Sequence, residues 1–341
     1  VAIKSDGTLW AWGWNAYGQL GNGTNLDTPA PAQIGTDTNW KSVAAGYCHT
    51  VAIKTDGTLW AWGDDALGQL GNGTTTGTNA PVQVGTDTNW QSIAAGSYHN
   101  VALKADGTLW TWGYDASGQL GNNSTTTVYK PTRIGKSTDW RSVVAGYQHT
   151  VAIKTDGSLW AWGLNFNGEL GDGTTTSTVQ PAKIGVATDW ETVAGGYQHS
   201  VGIKTTGTLW AWGWNNYGQL GNATNTDGNT PVEVGTDTNW QSVCAGSGHT
   251  VAVKTDGTLW AWGNDGYGQL GDGANTSLNA PVQIGTDTNW KSVSAGFGHT
   301  VAVKTDGTLW AWGWNNYGQL GNGTAADTNS PVQIGTDTHW Q

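Results

Sequence analysis

The phrase Val-Ala-Ile-Lys at Val1 returns, with at most one change, at Val51, Val101, Val151, Val201, Val251 and Val301, and the 50-residue period runs without insertion or deletion to Gln341. A chain of this kind is one supersecondary unit copied seven times. A single unit cannot bury its own apolar faces, so the copies must stack as a solenoid, an array or a propeller. The 341 residues therefore read as one domain, 1–341, whose last repeat stops short, rather than as two or three ordinary domains.

The punctuation of one copy, from Lys41 to Gly85, predicts four short strands. Ser42-Val43-Ala44-Ala45-Gly46 is apolar and ends on Gly, and His49 to Lys54 carries the β-branched Thr50, Val51 and Ile53. Asp56-Gly57 then marks a tight hairpin turn into Leu59-Trp60-Ala61-Trp62. Pro81-Val82-Gln83-Val84 opens on a proline, which suits an edge strand. The third strand is apolar at both parities, so both faces of its sheet are covered, and its two Trp share the face that wedges between neighbours. Four-stranded antiparallel sheets repeated radially make an all-β propeller, and seven blades fall inside the usual range.

Gly46-x-x-His49, Lys54-x-Asp56-Gly57-x-Leu59-Trp60-x-Trp62-Gly63 and Gly68-Gln69-Leu70-Gly71, taken together, resemble the repeat of the regulator of chromosome condensation family over the entire chain. The resemblance implies a seven-bladed propeller with the first strand of each blade nearest the axis. That first strand occurs six times, starting near Ser42, Ser92, Ser142, Thr192, Ser242 and Ser292, whereas the other three occur seven times. One blade is therefore expected to lack its innermost strand within this chain. The sequence stops at His339-Trp340-Gln341, where another Ser-Val-x-Ala-Gly would follow, and it opens inside a repeat without Met. The natural polypeptide is expected to extend past these ends, or a neighbouring molecule to donate the strand, because a bare sheet edge needs partners.

A net charge of −11 excludes a general nucleic-acid or anionic-membrane binder, both of which need a basic footprint. Only the third repeat is positive, with Lys104, Lys130, Arg133, Lys136 and Arg141 against Asp106, Asp115 and Asp139, and it reads as a solvated face. The 24 Trp supply far more apolar area than a disordered chain carries. No apolar run reaches the roughly 20 residues of a membrane span. Cys48 and Cys244 stand at different offsets of the repeat, so nothing brings them together as a disulfide.

Alternating strand direction places the first–second and third–fourth connections on one rim and the remaining connections on the other. The second rim is nearly monotonous, Thr-Asp-Gly-Thr and Gly-Thr-Asp-Thr-Asn-Trp recurring with few changes apart from repeats 3 and 4 and Thr206, and nothing there distinguishes the blades. The first rim is where the copies diverge and where the aromatic residues outside the strands gather. Trp14, Tyr17, Tyr47, Leu67, Tyr98, Tyr114, Tyr147, Phe166, Tyr197, Trp214, Tyr217, Tyr267, Phe297, Trp314 and Tyr317 are the candidate partner-binding residues. Large rigid rings dominate interface hot spots, and residues serving only the scaffold would repeat as faithfully as the strand Trp do.

Catalysis finds no foothold. His49, His99, His149, His199, His249 and His299 share one offset and form a ring, but copies set a blade apart are too distant for one metal ion, so a structural hydrogen bond is expected of each. His339 stands where Asn or Asp is usual and has no evident role. The turn carboxylates are isolated, no phosphate-binding loop or nucleophile elbow occurs, and no cofactor is implied. The expectation is a non-enzymatic propeller that binds a protein partner through its variable aromatic rim. The family resemblance implies partners of several kinds: a small GTPase, chromatin, or β-lactamases inhibited by bacterial members. No insertion here could form an exchange wedge, and an acidic chain suits chromatin poorly. A light-sensing branch carries Trp in a Gly-Trp-Arg-His-Thr motif, and that slot here holds Tyr47, Ser97, Tyr147, Tyr197, Ser247 and Phe297, so light sensing is not expected. The alternative is a subunit of a bacterial extracellular assembly joined by strand donation, and an enzyme inhibitor or a lectin-like binder using Trp14, Trp214 and Trp314 follows behind.

Overall fold

Seven antiparallel sheets make up the computed structural model, which describes every residue from Val1 to Gln341. The first blade holds β1 (Ala2–Ile3), β2 (Leu9–Gly13) and β3 (Thr28–Gln33). The second holds β4 (Trp40–Ala45), β5 (His49–Lys54), β6 (Leu59–Gly63) and β7 (Thr78–Gln83), in that order across the sheet. Five further four-stranded blades repeat it, at Trp90–Arg133, Trp140–Ile184, Trp190–Glu233, Trp240–Gln283 and Trp290–Gln333. The inner strands of adjacent four-stranded blades touch one another, which places them nearest the axis. The first blade has three strands, and Lys4 forms an isolated antiparallel bridge with Trp340 where each other blade begins its inner strand.

The outer strand differs from its sequence expectation. It begins at Thr78 rather than Pro81, because Ala61 pairs with Val82 and Gly63 with Thr78, leaving three residues opposite one. Pro81 lies in that bulge, where a missing N–H breaks no ladder bond.

The core is divided among the seven gaps between blades. Leu9, Ala11, Leu20 and Ile34 of the first blade meet Trp40, Ala52 and Trp62 of the second, and the same set recurs around the ring. Trp62 is fully buried, and its indole Nε1 donates to the Gln19 carbonyl oxygen of the preceding blade at 2.9 Å. Trp12 donates to Gln319 O at 2.9 Å and so closes the ring between last and first blades. The Gly-Gln-Leu-Gly loops permit this approach: Gly71 has φ +72°, and a Cβ there would stand 2.7 Å from Trp112 Nε1.

The histidines hold the same junctions. His99 Nε2 lies 3.2 Å from Thr150 Oγ1 of the next blade, and that hydroxyl donates to Gln119 O at 2.8 Å. Since the hydroxyl proton is spent on the carbonyl, Nε2 must carry the imidazole hydrogen and Nδ1 is left bare. His49, His149, His199 and His249 pair likewise with Asn100, Ser200, Thr250 and Thr300. The expected hydrogen bond at the start of the second strand therefore reaches across to the next blade. Gly46 belongs to this arrangement, because a Cβ there would run into the His49 imidazole.

The rim of hairpin turns, read from sequence as undifferentiated, is a ring of clamps. Lys54 Nζ sits 3.9 Å above the Trp60 ring and 4.7 Å from Trp40, with Asp37 Oδ2 at 2.7 Å. Lys4, Lys104, Lys254 and Lys304 pair with Asp337, Asp87, Asp237 and Asp287 at 2.6–2.7 Å. In the fourth and fifth blades the partner moves two residues along the chain, to Asp139 and Asp189, each 3.2 Å from its lysine, while Ser137 and Ala187 fill the vacated offset. The departures in repeats 3 and 4 are thus one relocated carboxylate. His339 joins this rim, its Nδ1 2.7 Å from Asp337 Oδ1.

Candidate functional site

On the opposite rim the loops after each third strand are built around a buried Asn or Asp. Asn15 Oδ1 accepts from Leu20 N at 2.9 Å, while Asn15 Nδ2 donates to the carbonyls of Thr24 and Leu26, each at 3.0 Å. This fixes a loop whose residues 14 and 17 point outward. Asp115 and Asp265 stand at the same offset, each with one carboxylate oxygen buried and unpartnered, and burial pushes their carboxyl groups up to about 6.

Nine of the fifteen predicted residues form one unbroken aromatic arc. Tyr114 meets Tyr98 at 6.4 Å between ring centroids, Tyr98 meets Tyr47 at 5.8 Å, and Tyr47 meets Trp14 at 5.8 Å. Trp14 also packs edge-on against Tyr17 at 5.6 Å and lies 5.7 Å from Tyr317. Tyr317 continues to Trp314, which carries Tyr267 and Phe297. The arc crosses the sixth, seventh, first, second and third blades. Tyr17, Tyr47, Tyr267, Phe297 and Tyr317 are exposed, whereas Trp14 and Trp314 are half-buried beneath them.

The remaining six residues stand apart from the arc. Tyr147 stacks on Tyr197 at 4.1 Å, and Trp214 packs against Tyr217 at 5.3 Å. Phe166 is 72% exposed with no ring beside it, Leu67 is half-buried, and Tyr217 faces solvent. Leu164, in the same loop as Phe166, is buried. The Tyr98 and Tyr197 hydroxyls are pushed up to about 12, by burial first and then by Cys48 at Tyr98 and by Tyr147 at Tyr197, so both remain neutral hydrogen-bonding groups.

No group of three or more His, Cys, Asp or Glu gathers anywhere in the molecule, and Cys48 and Cys244 are free thiols. What the rim offers is therefore contact area, with polar phenol tips set on apolar bodies.

The profile of the RCC1-like domain matches residues 1–237, and the regulator of chromosome condensation (RCC1) repeat matches residues 240–269, 290–319, 256–303 and 306–340. Yeast RCC1 (Prp20), solved bound to Kap60, superposes with a TM-score of 0.89 at 21% identity, covering 98% of this chain and 85% of that one. Prp20p of Saccharomyces cerevisiae, whose structure was reported with its binding properties to Gsp1p and histones, gives 0.89 at 22% identity over 98% and 87%. Human WBSCR16 gives 0.87 at 22% identity over 96% and 94%. Among curated proteins, the ultraviolet-B receptor UVR8 of Arabidopsis thaliana is 43% identical over 53 residues, which spans 15% of this chain and only 12% of that relative.

Proposed function

Since the chain belongs to the RCC1-like family of propellers, a fold commonly used for protein binding, we propose that it is a non-enzymatic binder that holds a protein partner on its aromatic rim. The observation that carries this reading is the continuous arc from Tyr114 to Tyr267. Rings in contact with one another lose little entropy on binding, and Trp and Tyr are the residues that anchor interfaces. The chain's acidity argues against nucleic acid as the partner.

The test places a photo-crosslinking amino acid at Tyr47 and, on the opposite rim, at Thr86, followed by irradiation in the host cell. A defined protein adduct is expected from Tyr47 and none from Thr86. Affinity for the crosslinked protein should then fall at least tenfold in the triple variant Trp14→Ala, Trp214→Ala, Trp314→Ala. The three substitutions together remove seven ring pairs, each worth about 0.5–1.5 kcal/mol, so the melting temperature should fall by roughly ten degrees while the variant still unfolds cooperatively. Equal adducts from both rims, or a variant that no longer folds, would overturn the reading.

A second reading rests on β1. Ala2 and Ile3 pair with Trp10 and Leu9 on one side and with no strand on the other, which is the arrangement that accepts an added strand. Self-assembly by strand donation predicts a native mass that rises with protein concentration, and a constant monomeric mass would remove it.

A further inference from the structure

The seven lysine clamps are close copies, so each is a control for the others, and the one around Lys204 in the fifth blade is incomplete. Lys54, Lys104, Lys254 and Lys304 each donate to an aspartate at 2.6–2.7 Å, and Lys154 holds both Asp139 and Ser137 Oγ, each at 3.2 Å. Lys204 also has one ion pair, but its Asp189 Oδ1 stands at 3.2 Å and no side chain accepts a hydrogen bond from its ammonium. Its Nζ lies 4.5 Å from the Trp210 ring and 5.2 Å from Trp190, where Lys54 has 3.9 and 4.7 Å. Its side chain is 16% exposed, the most of the seven.

One substitution has emptied this place: Ala187 stands at the offset of Asp37. Between the fourth and fifth blades there remains an open cleft of about 300 Å³ lined by Ile184, Ala187, Trp190, Lys204, Trp210 and Pro231. Asp172, also on the cleft wall, turns its carboxylate to its own loop, where Thr174 N and Oγ1 donate to it at 2.9 and 2.8 Å.

We propose that this cleft binds an aliphatic carboxylate, whose oxygens pair with the Lys204 ammonium in the place that Asp37 and its copies fill in other blades. Its carbon chain lies against Ile184, Trp210 and Pro231. A monoanion is favoured over a doubly charged phosphate, because Lys204 is the one cation on the cleft wall and Asp189 and Asp172 already bring two carboxylates near it. The carboxylate can come from a free small acid or from an acidic side chain of a peptide, and the chemistry of capture is the same.

The test uses protein labelled with 5-fluorotryptophan, titrated at constant ionic strength with acetate, with blocked aspartate (N-acetyl-aspartate N-methylamide) and with chloride. The Trp210 resonance is assigned from a Trp210→Phe spectrum. Saturable shifts of Trp210 are expected with the carboxylates and not with chloride. Ala187→Asp with Asp189→Asn rebuilds the loop of the second blade, so it should fold at least as stably as the parent and lose the response by tenfold or more. Blocked aspartate binding tighter than acetate would identify an acidic peptide as the source, and the reverse a free acid. An equal response in the double variant, or an equal response to chloride, would overturn the proposal.

Discussion

The propeller should unfold cooperatively near pH 5, well above the range in which surface carboxylates titrate. Burial pushes the imidazoles of His49, His149 and His299 down to about 4 and those of His99, His199 and His249 down to about 3, the last three also opposed by neighbouring histidines. An unfolded histidine titrates near 6.5, so as pH falls below that value the unfolded chain takes up protons that the folded ring excludes. Stability is intact above about pH 6.5 and is lost through the window down to the folded values, at about 1.4 kcal/mol per pH unit for each histidine and about 8 for six. The carboxyl groups of Asp65, Asp115, Glu169 and Asp265 act with the opposite sign. Burial raises them, so they weaken the fold above their unfolded pKa and relieve it as pH falls. Four raised acids do not offset six excluded imidazoliums.

Circular dichroism across pH 3–8 measures this. Substituting His99→Gln and His199→Gln keeps an N–H donor for Thr150 and Thr250 while removing two titrating groups, and should move the acid midpoint downward by a few tenths of a pH unit. A midpoint unmoved by both substitutions would show that the histidine ring does not set acid stability.

The second large effect separates two tryptophans of one strand. Trp60 and Trp62 share a sheet face and both pack edge-on against Trp40, at 5.9 Å each. Trp62 is fully buried at the junction of the first two blades and bonded to Gln19 O, whereas Trp60 is partly exposed, donates to Thr58 Oγ1 at 2.9 Å and lies under Lys54. Trp62→Ala should cost about 3–5 kcal/mol through the lost burial and the cavity left behind. Trp60→Ala should cost about half of that, chiefly the cation–π contact, worth about 0.5–2 kcal/mol, and the partial burial. Urea titration of both variants reads the difference. Equal losses would mean that blade junctions are not where stability resides.

Much of this was legible before any coordinates. The Asp56-Gly57 turn, the paired Trp of Leu59–Trp62 and the missing seventh Ser-Val-x-Ala-Gly identified strands, wedges and the three-stranded blade. The start of the outer strand was missed because its first three residues, such as Thr78 to Ala80, vary between copies and two of them lie in the bulge. On the aromatic rim the residues were legible but not their grouping, for nothing in the local sequence joins Trp14 to Tyr317 or leaves Phe166 alone. The clamp rim was misread because the aspartate moves from offset 37 to offset 39 in two repeats, a change that looks like noise until the lysine it serves is seen.

By itself, then, the sequence determined blade number and strand order, since the 50-residue period counts the copies, and the turns and doubly apolar third strand within one copy select stacked four-stranded sheets among the architectures such a period allows. Only the tertiary structure decided which positions of adjoining copies meet. His99 with Thr150, Trp62 with Gln19, Trp12 with Gln319 and the place left open beside Lys204 all depend on how one blade leans on the next, and a repeat states that positions recur without stating how far the neighbouring copy is turned.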